Sequence, residues 1–258
     1  ELRTATQALL PQLRADHDAA IALCLKMGMR SCKELREAKK VNCSDRDLSA
    51  FDLATLGTLG SLLPALEQLL LHEPAAGTDG VQRLAAGLGA GALPAVTLLN
   101  LNCMHVGDSG ASALAAALGR GALPRLKTLA LTNLAIGNAG LVALAPGLRQ
   151  LPTLDVINLS NNPLGDEGLA ALVAPPPPAG APPPQTGVLT KLKDLHLRST
   201  KVSDAGCATL DSALKSGMLP ALKSIELAGA FSSCSAAARA AVKEALEKSR
   251  AAASAVPS

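Results

Sequence analysis

The chain is 258 residues long, enough for one large domain or two small ones, and its net charge of +3 is too weak a bias to mark a nucleic-acid-binding stripe. It is 48% hydrophobic yet almost wholly aliphatic, with no Trp, no Tyr and only Phe51 and Phe231. That composition argues against base-stacking surfaces and ring-built cores, and for thin layers of Leu and Ala repeated regularly.

Residues 2–29 read as a helix, with Leu9, Leu13, Ala20, Cys24 and Met27 near one face and Pro11 as a kink or break. Its apolar run "AAIALCL" is too short to span a bilayer and has the wrong flanks for a secretory signal. Residues 1–34 are expected to form a helical cap over the open end of the first strand–helix layer.

From residue 35 to 235 the chain repeats, in about seven copies. Leu66, Leu69 and Leu71 recur as Val96, Leu99 and Leu101, as Leu126, Leu129 and Leu131, and as Leu154, Ile157 and Leu159. The series goes on through Leu192, Leu195 and Leu197 to Leu222, Ile225 and Leu227, with a degenerate first copy at Ala38, Val41 and Cys43. A second series, Gly80, Gly110, Gly140, Gly168 and Gly206, keeps the same steps. The alternating L-x-L predicts a short strand with one buried face. "VGDSG", "IGNAG", "LGDEG" and "VSDAG" then join turn residues to a helix start, with Asp or Asn where free backbone N–H groups need acceptors. Leu spaced four apart gives the helix an apolar face, and the Leu-Pro that usually follows ends it and starts the next strand.

The proline-rich stretch 174–187 falls between a short helix, "GLAALVA", and the next strand, and the pattern resumes in phase at "LTKLKDLHL". It is therefore expected to be an extended polyproline loop inserted into one copy, not a domain boundary. Residues 236–250 are expected to be a capping helix, with Ala236 in place of the repeat Gly, and 251–258 a disordered tail.

"LPTLDVINLSNNPLGDEGLAAL" and "LPRLKTLALTNLAIGNAGLVAL" resemble the leucine-rich repeats, specifically the ribonuclease-inhibitor-like subfamily, over about residues 38–250. The resemblance implies an α/β fold: a right-handed leucine-rich-repeat solenoid, or horseshoe, with a parallel sheet on the concave face, helices on the convex face, and protein binding through the concavity. The family's Asn or Cys three residues after the second strand Leu is present only as Asn162. Arg46, Pro74, Met104, Leu134, Thr200 and Ala230 stand at the other copies, so less regular turns are expected.

Residues between the strand leucines should line the concavity in three rows. The first is Lys40, Gln68, Leu98, Thr128, Val156, Asp194 and Ser224. The second is Asn42, Leu70, Asn100, Ala130, Asn158, His196 and Glu226, and the third is Ser44, His72, Asn102, Thr132, Ser160, Arg198 and Ala228. Asn100, Asn158, Asp194, His196, Arg198 and Glu226 are the candidate protein-binding residues, with Lys193 and Lys223 beside them. Asp194 and His196 lack an accompanying nucleophile, so no catalytic role is assigned, and no cofactor or metal is expected.

The expected function is a non-enzymatic, monomeric protein-interaction scaffold binding an unidentified protein, with no nucleic acid and no membrane. The rival readings are a GTPase activator of the leucine-rich-repeat type, with Arg46 as the candidate arginine, and a self-associating structural protein. Asn42-Cys43-Ser44 and Asn158-Leu159-Ser160 match the glycosylation pattern by chance, since both lie in expected strands. Six cysteines without a CxxC pair are expected to be reduced thiols, in a cytoplasmic or otherwise intracellular protein.

Overall fold

The computed structural model describes residues 2–173, 189–229 and 233–254. Helices α1 (Leu2–Lys26) and α2 (Cys32–Glu37) lead into strand β1 (Lys40–Ser44). Strand and helix then alternate: α3 (Ala50–Leu59), β2 (Gln68–His72), α4 (Gly77–Gly87), β3 (Leu98–Leu101), α5 (Gly107–Gly119), β4 (Thr128–Ala130) and α6 (Asn138–Gln150). The alternation continues with β5 (Val156–Asn158), α7 (Asp166–Val173), β6 (Asp194–His196), α8 (Asp204–Lys215), β7 (Ser224–Glu226) and α9 (Ala236–Ser254).

The strands form one parallel sheet in chain order β1 to β7, and the helices from α3 to α9 pack each on the next. This is the α/β solenoid expected from the repeat. Pairing is in the register of the sequence rows: Leu69 sits opposite Leu99, Leu99 opposite Leu129, and Leu129 opposite Ile157. Ile157 pairs with Leu195 across the interruption, so the sheet continues from β5 to β6 without a second core. The expected polyproline loop at 174–187 lies outside the described residues.

Two features of the turns explain why the units stack. The Asp or Asn at the start of α5, α6, α7 and α8 accepts from the next rung. The Asp108 carboxylate takes the Gly137 N–H at 2.6 Å, the Asn138 amide oxygen takes Gly165 N–H at 2.7 Å, the Asp166 carboxylate takes Ser203 N–H at 2.8 Å, and the Asp204 carboxylate takes Ser235 N–H at 2.6 Å. The repeat Gly is the other half of this device. A Cβ on Gly206 would stand 2.3 Å from the Asp166 carboxylate, and one on Gly140 would stand 2.5 Å from that of Asp108. The capping role read from the sequence is thus corrected: the acceptors are real, but they join neighbouring rungs.

The turns are also more regular than the scarcity of family asparagines suggested. Cys103, Asn133, Asn161 and Ser199, one per rung, all take left-handed φ values between 55° and 59°. Asn162 is buried and works as the resemblance implies, its oxygen accepting from Leu134 and Ile136 N–H and its nitrogen donating to Leu131 and Leu159 carbonyls. In the second copy the same work falls to Glu73, only 1% exposed, which accepts from Arg46 and Leu48 N–H. Elsewhere Met104 and Leu134 fill the space with apolar volume, and Thr200 donates to the Leu197 carbonyl.

Other expectations are revised. Leu93 and Leu123, each before a proline, have φ of 53° and 56° rather than an extended backbone. Helix α1 runs unbroken through Pro11. Ala20 and Cys24 of α1, and Met27 just beyond it, are buried as expected, but Leu13 is 62% exposed, as residues 10–19 pack on nothing among the described residues. The last helix extends to Ser254, four residues past the expected 250. The cysteines are not all thiols: Cys207 in α8 and Cys234 just before α9 form a disulfide, brought together because α9 stacks on α8 as the next helix of the ring. Cys24, Cys32, Cys43 and Cys103 are free. Burial pushes the Cys24 and Cys43 thiols up to about 12, with Cys32 and Glu73 respectively adding to the effect.

Candidate protein-binding face

The sheet's polar rows follow from strand alternation: one set of side chains enters the core and the set between them faces out. Asn100, Asn158, His196 and Glu226 fall in one cross-strand row, Asn100 joined to Asn158 through Ala130. Asp194 lies in the row beside it, opposite Val156 and Ser224. Arg198 lies just beyond β6 and is exposed. The six candidates therefore share one face, although Asn100 stands two strands from Asn158.

Their partners separate them. His196 Nδ1 lies 3.1 Å from Glu226 Oε2, so the imidazole is oriented by the next rung and not by Asp194. Asn158 accepts from Ser160 N–H at 3.0 Å, a local bond within its own strand end. Lys193 does not join the patch, because its ammonium sits 3.0 Å from the Asp155 carboxylate on the preceding rung. Lys223 is exposed.

The strongest polar signal lies at the other end of the face. Ser44, His72, Asn100, Asn102 and Cys103 line a cleft of about 230 Å³. Within it the side-chain oxygens of Asn100 and Asn102 are buried without a hydrogen-bond partner among the described residues. Buried acceptors left without donors are rare and costly, so a pair of them in one surface cleft is a site of unmet bonding. Of the residues lining this cleft, Asn100 is among the six candidates, and Asn102, Ser44 and His72 are not. All three stood in the third row, and the signal available was that two asparagines fall two residues apart on one strand face.

Arg46 lies exposed in the β1–α3 connection with its guanidinium against Gly28. Among the described residues no group of His, Cys, Asp or Glu is placed to hold a metal ion, and no helix is long and apolar enough to cross a membrane.

A family model described as "Leucine Rich repeat" matches residues 94–115, 150–173 and 188–210. The three matched copies fall within the parallel strand–helix stack, which is an α/β solenoid. Among solved structures, the chain is similar to "Leiomodin-1 Actin-Binding Site 2 (ABS2)", at 16% identity over 80% of this chain and 92% of that one, with a TM-score of 0.46. A comparison with curated proteins gave no match.

Proposed function

We propose that this chain is a non-enzymatic interaction scaffold that binds a partner protein across the concave sheet, as a monomer inside the cell. The observation that carries this reading is the pair of donorless buried oxygens on Asn100 and Asn102 in the concave cleft. A partner presenting N–H or hydroxyl groups would satisfy both, and each such bond contributes about 1 kcal/mol net. Asn158, Asp194, His196, Arg198 and Glu226 extend the contact along the face as a mixed polar surface. Binding is thus collected from several rungs, in keeping with a face that carries no large aromatic anchor among the described residues.

The test is affinity capture from the native cell with three forms of the protein. Partner retained by the wild-type chain should be lost from an Asn100→Leu/Asp194→Lys variant and kept by Glu167→Arg, which alters an exposed residue of α7 on the opposite side. Equal retention by all three forms would place the interface elsewhere.

A further inference from the structure

The row of core residues through the sheet is sealed at every rung but the last. Val41, Leu69, Leu99, Leu129, Ile157 and Leu195 are fully buried, whereas Ile225 at the same register on β7 is only partly covered. β7 is also the terminal strand of the sheet. Ser224 N–H and the Glu226 carbonyl are used toward β6, bonding Lys193 and Leu197. By alternation, Ile225 N–H and C=O and Leu227 N–H face outward, and none has a partner among the described residues.

Helix α9 packs along α8 and leaves a cleft of about 520 Å³ against this edge. Ile225, Leu227, Val242 and Leu246 give it an apolar lining. Its charged lining groups are Arg198, Arg239 and Lys243 against the single carboxylate of Glu226, which already faces His196. A strand edge without partners among the described residues, an apolar trough and a cationic excess coincide in one place. A bare strand edge is a template for another strand.

We propose that this cleft binds an extended acidic segment of a partner protein, which adds to β7 as an eighth strand. Alternate aliphatic side chains would cover Ile225 and Leu227, while the carboxylates between them meet Lys243, Arg239 and Arg198. A second copy of this chain is a poor occupant. The sheet's other edge strand, β1, opens on the exposed Lys40, so head-to-tail stacking would set like charge on like charge. This site is separate from the Asn100–Asn102 cleft and shares only Arg198 and Glu226 with the proposed concave contact.

The test uses the full chain and a fluorescent octapeptide of alternating valine and glutamate. The expected result is saturable anisotropy and slowed hydrogen exchange at the Ile225 and Leu227 amides. Affinity should drop at least about tenfold in Lys243→Glu, or when alternate peptide nitrogens are methylated, the effect of losing one charge-assisted or backbone bond. Glu37→Lys, exposed on α2 at the other end of the sheet, should leave peptide binding within about twofold, as distant sites act independently. Equal binding of a valine–lysine peptide would overturn the proposal, as would unchanged exchange at Ile225 and Leu227. So would a concentration-dependent dimer that protects those same amides without peptide.

Discussion

At the scale of single residues, the fold rests on positions where one side chain serves two rungs. Gly206 and Asp166 are the clearest pair, since the carboxylate that bonds the Ser203 backbone occupies the volume a Cβ at 206 would need. Gly206→Ala is expected to cost about 1–3 kcal/mol by overpacking. In an Asp166→Ala background that cost should shrink by about 1 kcal/mol, because contacting residues do not add. Urea denaturation of the four forms measures the coupling, and strictly additive costs would refute it. Leu131, 1% exposed, should lose about 2–5 kcal/mol on truncation to Ala, while Arg198→Ala should stay within about 0.5 kcal/mol. The apolar member of each rung was legible in sequence because its period is strict. Glu73 was not: a glutamate before a proline carries no signal that it will be buried to accept two backbone N–H groups, and only the stacked geometry shows the need.

At the scale of elements, the two ends are fastened differently. The N-terminal helix is tied to α3 by Lys26 and Asp52, 2.6 Å apart, while Ser49 donates to the same carboxylate and its hydroxyl caps α3 by accepting from Asp52 N–H. Burial alone would raise the Asp52 pKa, but the bonds from Lys26 and Ser49 outweigh it and hold it below its ordinary value. A depressed folded-state pKa means the contribution is fully present above the unfolded value of about 3.9 and is lost as pH falls through the folded one. Thermal melts below about pH 4 should therefore lose stability, and Asp52→Asn should flatten that loss. An unchanged pH profile in the variant would contradict the tie. At the C-terminal end, the Cys207–Cys234 disulfide joins α8 to the start of α9 across 27 residues. Thiol titration of the denatured, unreduced protein should find four reactive cysteines of the six, and six would exclude the bond. Element type and order were readable from periodicity. The disulfide was not, because no spacing rule brings position 207 to 234 until the helices are stacked. Nor was the exposure of Leu13, whose helical spacing matched a buried face that the first rung is too short to cover.

At the scale of the whole molecule, a single stack continues through the proline-rich interruption, and both the core and the concave face depend on that continuity. Repeats of this kind are stabilised by neighbours, so a break in the stack would separate the chain into two independently opening units. The rows that build the concave face were visible in sequence because the interruption leaves the phase of the leucines intact. The donorless oxygens of Asn100 and Asn102 were not, since burial of an amide depends on the rungs either side. The direct measurement is native-state hydrogen exchange followed at the Leu159 and Leu197 amides, which bond β5 to β6 and β6 to β7. Both should exchange with the same opening free energy as the Leu131 amide of the central rungs. Two distinct opening energies, one for residues before 174 and one for residues after 188, would show two bodies where a continuous stack requires one.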